Sequence, residues 1–194
     1  MQNNISKPAK GKIVWLTGLS GAGKTTLARG LEEQLKEYGI SCMLLDGDLL
    51  RKGINSDLGY TREDRKENVR RIAEIARLFS NAGQIAIVAA ITPYQDDRDM
   101  VREMLHDCPL LEVFVACPLE ECEKRDVKGL YKKAREKKLP NFTGITDIFE
   151  SPANPDLILQ TDKEEYEHCL QQLCFATIPQ VHQNIYTQPS VVNK

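Results

Sequence analysis

Eight consecutive residues, Gly18-Leu19-Ser20-Gly21-Ala22-Gly23-Lys24-Thr25, constrain this chain more than any other stretch. They satisfy G-x-x-x-x-G-K-[ST], and they follow a short apolar run, Ile13 to Thr17. Behind them Lys24 to Tyr38 places Leu27, Leu31 and Leu35 four apart, with Gly39 positioned to cap the end. Strand, glycine-rich turn and helix, in that order, are the setting in which this pattern means a phosphate-binding P-loop. Glycines let successive backbone N–H groups turn toward phosphate oxygens at a helix N-terminus, Lys24 reaches the β- and γ-phosphates, and the Thr25 hydroxyl ligates Mg²⁺. The phosphate-cradling set is therefore Gly18, Ser20, Gly21, Ala22, Gly23, Lys24 and Thr25. Two competing patterns fail here. Ala22 breaks a G-x-S-x-G nucleophile elbow centred on Ser20, and Thr26 breaks a dinucleotide G-x-G-x-x-G.

The remaining pattern extends this unit into a doubly wound α/β domain. Cys42 to Leu45 reads as a second strand, followed by an Asp/Gly-rich turn and an irregular stretch to Tyr60. Thr61 and Asp64 form a capping pattern ahead of a helical stripe of Val69, Ile72, Ala73, Ile75, Ala76 and Phe79, closed by Gly83. Ile85 to Ile91 and Leu111 to Ala116 are apolar without alternation, as strands covered on both faces are. Helices are expected at about 96–106 and 119–125, a short strand at 157–159 and a last helix from Lys163 to Phe175. With 194 residues, 41% of them apolar, the chain fills one domain core. The expected organisation is a flexible N-terminus over 1–10, a P-loop NTPase-type parallel sheet with helices on both faces over 11–176, and a polar tail over 177–194. Within it, about 128–155 is basic, punctuated by Gly and Pro and without periodicity. A segment of that length reads as a lid.

Charge and composition narrow the partners. Net charge is −2, which gives no bulk case for nucleic acid, yet Lys124 to Lys138 holds eight basic and two acidic residues, a focus suited to a compact polyanion. Seven residues is the longest apolar run, far short of a membrane span, and the polar first twelve residues lack a signal-peptide core, so a cytoplasmic protein is expected, with no membrane partner. The six cysteines contain no C-x-x-C pair and read as reduced thiols, and His106, His168 and His182 show neither metal nor nucleophile spacing. Asp46-Gly47-Asp48 falls just past the second strand, at the edge where open α/β sheets bind ligands. One carboxylate there can enter the Mg²⁺ shell and one can accept a proton from an attacking hydroxyl, which makes Lys24, Asp46 and Asp48 the catalytic candidates. Arg65 and Asn68, three apart near a helix start, are expected opposite the main apolar positions, where charged residues usually form a solvated face.

Taken together, the motifs resemble one family, the adenylylsulfate (APS) kinases, from about Gly11 to Asp162. The resemblance is carried by the P-loop with Thr26, Asp46-Gly47-Asp48 with Arg51, Asp57-Leu58-Gly59-Tyr60, Asp64-Arg65 with Glu67-Asn68, Thr92-Pro93-Tyr94, Lys128-Gly129-Leu130-Tyr131 and Phe142-Thr143-Gly144-Ile145. It implies transfer of the γ-phosphate of ATP to the 3′-hydroxyl of APS, giving PAPS, commonly by a homodimer. It also implies APS contacts from Asp48, Arg51, Arg65, Asn68, Ile91, Thr92 and Lys128, with the substrate adenine between Tyr60 and Phe142. Many members have Phe where this chain has Tyr60, a change that keeps the π-face, and Ser where it has Thr92. Some descriptions assign that Ser to a phosphorylated intermediate. Nothing near Thr92 in sequence offers an activating base, so direct in-line transfer is expected. Asp48 is preferred as the base, and the basic lid is expected to exclude water.

Two other readings share the P-loop. One is a kinase for a different small alcohol or nucleoside, and the other is a non-catalytic APS- or PAPS-sensing domain. Intact Lys24, Thr25, Asp46 and Asp48 weigh against the second, because a sensor can lose them.

Overall fold

The computed structural model describes residues 9–179. Most of the segments expected at 1–10 and 177–194, and His182 with them, lie outside the described residues. Five strands, β1 (Ile13–Thr17), β2 (Cys42–Asp46), β3 (Ile85–Ala89), β4 (Leu110–Ala116) and β5 (Leu157–Gln160), form one parallel sheet in the order β2-β3-β1-β4-β5. Strand alternation divides the core in two. Val14 and Leu16 of β1 face Leu27, Leu31 and Leu35 of α1 (Lys24–Glu37) and Leu173 of α7 (Tyr166–Thr177). Ile13 and Trp15 face the other way, onto Val69, Ile72 and Ala76 of α3 (Arg62–Asn81), Val101 of α4 (Gln95–Met104) and Leu105, which follows it. Leu31 and Ile72 are fully buried, so truncating either to Ala costs about 2–5 kcal/mol.

Thr61 and Asp64 close the expected capping box, each side chain accepting from the other's backbone, and this fixes where α3 starts. From β3, on one flank of β1, the chain passes to β4 on the other flank, and the segments after β1, β2 and β3 all leave at the same carboxyl edge.

Several expectations need correcting. The stretch read as irregular to Tyr60 opens with a one-turn helix, α2 (Gly47–Leu50), because the Asp46 carboxylate caps it by accepting from the Asp48 and Leu49 amides. β3 ends at Ala89 rather than Ile91, since Thr92 takes φ +44°, which no strand permits. The last helix starts at Tyr166 and not at Lys163. The expected lid is not pattern-free. After α5 (Leu119–Arg125) it contains α6 (Leu130–Arg135), whose Tyr131 joins the first core and whose Ala134 is also buried, an apolar pair three apart that the surrounding lysines obscure in sequence.

Candidate active site

The loop from Gly18 to Gly23 joins β1 to α1, and backbone geometry dictates its glycines. Gly18 has φ +147°, and a Cβ there would lie 2.5 Å from the Val115 carbonyl oxygen, while Gly23 at φ +102° forms the start of α1. The carbonyls of the loop are held by side chains. Lys24 Nζ donates to Gly18 O at 2.8 Å and Leu19 O at 2.7 Å. The Tyr131 hydroxyl donates to Ser20 O at 2.9 Å, Arg125 Nη1 to Gly21 O at 3.4 Å and Thr161 Oγ1 to Ala22 O at 2.8 Å. Tying down the carbonyl edge leaves the N–H edge as the one an anion meets. Burial pulls the Lys24 ammonium down to about 8, partly offset by the Asp48 and Asp46 carboxylates.

The two aspartates after β2 have separate environments. Asp46 is buried and fully engaged, with Oδ1 accepting from the Asp48 and Leu49 amides at 2.9 and 3.2 Å and Oδ2 accepting from Thr25 Oγ1 at 2.8 Å. Asp48 is exposed, and its carboxylate is paired with the Lys128 ammonium. Among the described residues no group of three or more His, Cys, Asp or Glu side chains is placed to hold a metal ion. Thr25 with Asp46 is nevertheless a hard-oxygen pair beside the loop, the sparse donor set that suits Mg²⁺ bound chiefly through phosphates and water.

Arg65 and Asn68 are not on a solvated face. Both are buried, because the turns between α2 and α3 and the segment around Asn141 fold over that side of α3. Arg65 donates from Nε to Tyr60 O at 3.3 Å and from Nη2 to Asn141 O, and it lies 3.5 Å from Asp147 Oδ2. Asn68 Oδ1 accepts from Asn55 Nδ2 at 3.0 Å. Arg51 donates to Gly59 O at 2.7 Å, with its guanidinium 4.5 Å from the Tyr60 ring centre and that of Arg65 5.7 Å away. Tyr60 is 57% exposed, so it is no core aromatic. Phe142 is half-buried, edge-on to Tyr131 at 5.0 Å. Arg65 thus links the backbone of Tyr60 to that of Asn141, the neighbour of Phe142.

Ile91 and Thr92 follow β3. Ile91 O accepts from Gly18 N at 3.3 Å, tying this segment to the P-loop. Thr92 is 2% exposed, and its Oγ1 accepts from Trp15 Nε1 at 3.0 Å. Sequence reasoning did not single out Arg125, Thr161, Asp147, Trp15 or Arg98. Tyr94, Tyr131 and Lys128 stood in quoted motifs. Asp147 accepts from the Tyr94 hydroxyl at 2.7 and 2.6 Å, which with burial pushes that phenol up to about 12, and no spacing in the sequence connects those two positions. All six cysteines are free, and His106 and His168 are exposed. No helix among the described residues is long and apolar enough to cross a membrane.

The adenylylsulphate kinase family model matches residues 10–160. A probable adenylyl-sulfate kinase of Halalkalibacterium halodurans is 52% identical over 164 residues, covering 84% of this chain and 81% of its own, and the adenylyl-sulfate kinase of Bacillus velezensis is 50% identical over 164 residues, covering 84% and 83%. The Mycobacterium tuberculosis APS kinase, solved in complex with AMPPNP and APS, superposes with a TM-score of 0.83 at 43% identity, covering 86% of this chain and 96% of its own. A match over this length, on a sheet that brings the P-loop, both aspartates, Arg65, Asn68 and Thr92 to one edge, places this chain in the adenylylsulphate kinase family.

Proposed function

We propose that this protein is an ATP-dependent adenylylsulfate kinase that phosphorylates the 3′-hydroxyl of APS, giving PAPS and ADP. The observation that carries the reading is the convergence of cationic and polar groups from separate segments, Arg51, Arg65, Asn68, Thr92 and Lys128, on the edge that also holds the P-loop. A phosphosulfate wants guanidinium and ammonium donors, and an adenine wants flat partners.

In this reading the loop of Gly18, Ser20, Gly21, Ala22 and Gly23, with Lys24, Thr25 and Thr26, cradles the ATP phosphates. Lys24 exchanges its two carbonyl partners for β- and γ-phosphate oxygens. Thr25 and Asp46 would hold Mg²⁺, which supplies neutralisation of the charge shared by the two terminal phosphates. Asp46 has no oxygen free of a donor, whereas Asp48 has one partner, a mobile-headed lysine, so Asp48 takes the proton of the attacking hydroxyl. Lys128 turns from Asp48 to the phosphosulfate, Arg51 and Arg65 grip the same group, and Tyr60 and Phe142 flank the adenine. Ile91 and Thr92 form the acceptor-side wall. Residues 128–155 act as the lid over the domain spanning 11–176. Six free thiols and ATP as co-substrate fit a cytoplasmic protein, and a homodimer is the assembly the resemblance implies.

A coupled ADP-release assay tests the reading, with APS run against adenosine, dAMP and gluconate as acceptors. Turnover on APS above all three is expected. Better turnover on another acceptor, or tight APS binding without transfer, refutes it.

A further inference from the structure

Behind Thr92, on the side away from the P-loop, lies a buried charged cluster that the phosphotransfer chemistry above does not use. Arg98 of α4 is 2% exposed. Its Nη1 donates to Thr92 O at 2.8 Å and its Nη2 to Gln95 Oε1 at 2.8 Å. Its Nε makes no hydrogen bond and lies 3.7 Å from Glu112 Oε1, which makes none either. Glu112 stands on β4 beside Trp15 of β1, and its other oxygen accepts from Arg102 Nε at 2.8 Å. Trp15, Arg98, Val101, Arg102, Leu110 and Glu112 line a small, partly open cavity.

Such an arrangement is costly. Burial holds the Glu112 carboxyl above and the Arg98 guanidinium below their usual ranges, and a buried ion pair of this kind often stabilises less than apolar side chains of equal volume. What it does hold is one residue in an unusual conformation. Thr92 is β-branched at φ +44°, and it persists there because its carbonyl accepts from Arg98 at 2.8 Å and, less closely, from the Thr17 hydroxyl at 3.3 Å, and its hydroxyl from the Trp15 indole. Arg98 and Trp15 both line the cavity that Glu112 completes.

We infer that Glu112 is a positioning residue which, through Arg98 and beside Trp15, fixes the backbone of Thr92 and thereby the acceptor-side wall, with a larger effect on that wall than on the ATP side. The inference rests on the kinase reading for the identity of the acceptor, but not for the coupling between the cluster and the loop.

The test uses the full chain. Glu112→Gln, which removes the carboxylate charge facing Arg98, should raise the KM for APS about tenfold, with the KM for ATP within about twofold of wild type. Trp15→Phe, which removes the indole donor without touching charge, should shift the same constant in the same direction, and it keeps the proposal open to refutation if Glu112→Gln does not fold. Hydrogen exchange of residues 90–95, measured without any substrate, should accelerate about tenfold in Glu112→Gln. Trp15, the chain's single tryptophan, should respond in its emission to APS in wild type and lose that response in Glu112→Gln. Unchanged exchange at 90–95, or equal rises in both KM values, overturns the inference. Faster exchange in a protein whose wild type does not phosphorylate APS overturns the kinase reading and leaves this one standing.

Discussion

Lys128, at the start of the basic segment after α5, is ion-paired with Asp48 in the first turn of α2, so the two candidate substrate-handling charges satisfy one another across the site. Both side chains are more than half exposed, at 53% and 65%, and a pair so placed is worth at most about 1 kcal/mol. A phosphosulfate can therefore separate them at small cost, releasing the carboxylate for the hydroxyl proton as the ammonium takes the anion. Asp48→Asn should lower kcat by about 10²–10⁴-fold with little change in the KM for ATP, the size expected of a general base. Lys128→Ala should raise the KM for APS and spare kcat. Steady-state kinetics in both substrates separates the two effects, and a normal kcat in Asp48→Asn would remove the base assignment.

Lys24 gives a pH dependence with a definite sign. Its ammonium lies at about 8 in the folded chain against 10.5 in an unfolded one, because burial disfavours the charge. Between those values the unfolded chain binds more protons, so the Lys24 contribution to stability rises with pH across that window and is least favourable below it. Catalysis runs the other way. The free enzyme loses the charge that meets ATP as pH passes about 8, so kcat/KM for ATP should fall there, while kcat falls at higher pH because bound phosphates favour the ammonium. Lys24→Ala should be far less active than wild type below pH 8 and should lack the alkaline limb. A pH profile of kcat/KM in both proteins checks this.

Tyr60 and Phe142 should part company on stability while agreeing on binding. Each alanine variant should weaken APS binding by about 1–3 kcal/mol, the worth of one base stack. Tyr60 is exposed and held only by Arg51 and Arg65, so Tyr60→Ala should leave the melting temperature nearly unchanged and Tyr60→Phe should be near neutral in both assays. Phe142 packs on Tyr131, whose hydroxyl holds the P-loop, so Phe142→Ala should also lower the melting temperature and raise the KM for ATP. Calorimetric APS titration beside thermal melts reads both.

What the sequence disclosed follows from where each signal lives. The P-loop, the capping box at Thr61 and the buried strands are local patterns, set by backbone geometry within a few residues or by burial on both faces; the first two stand where their spacing puts them, and the strand read over Ile85 to Ile91 is present but stops at Ala89. The burial of Arg65 was not legible, because the carbonyl of Asn141 that receives it comes from 76 residues away. Asp46 and Asp48 are equivalent as letters. The fold distinguishes them, burying Asp46 against the Thr25 hydroxyl and the α2 amides and leaving Asp48 exposed beside the Lys128 ammonium. Arg98 and Glu112 hide for the same reason, as an arginine and a glutamate in sequence are surface residues until the fold closes over them.

Thr92 is where two mechanisms with the same remaining residues diverge. Transfer through a covalent phosphothreonine needs its hydroxyl to reach the γ-phosphate and to surrender a proton to a base. Thr92 is 2% exposed, and its hydroxyl already accepts from the Trp15 indole N–H, a donor that cannot take the proton. Thr92 is set by its neighbours as a wall residue, with its carbonyl fixed by Arg98. In the proposed reading direct attack needs only in-line geometry and neutralised charge, the part given to Lys24, the loop amides and the arginines, with Asp48 taking the proton. Thr92→Ala should therefore stay active, losing the Trp15 hydrogen bond and about 0.5–1.5 kcal/mol with it, read as a modest rise in the KM for APS. Intact-protein mass spectrometry of wild type after ATP alone should show no added phosphate. A stoichiometric phosphothreonine that discharges into PAPS when APS is added, together with an inactive Thr92→Ala, would establish the covalent route instead.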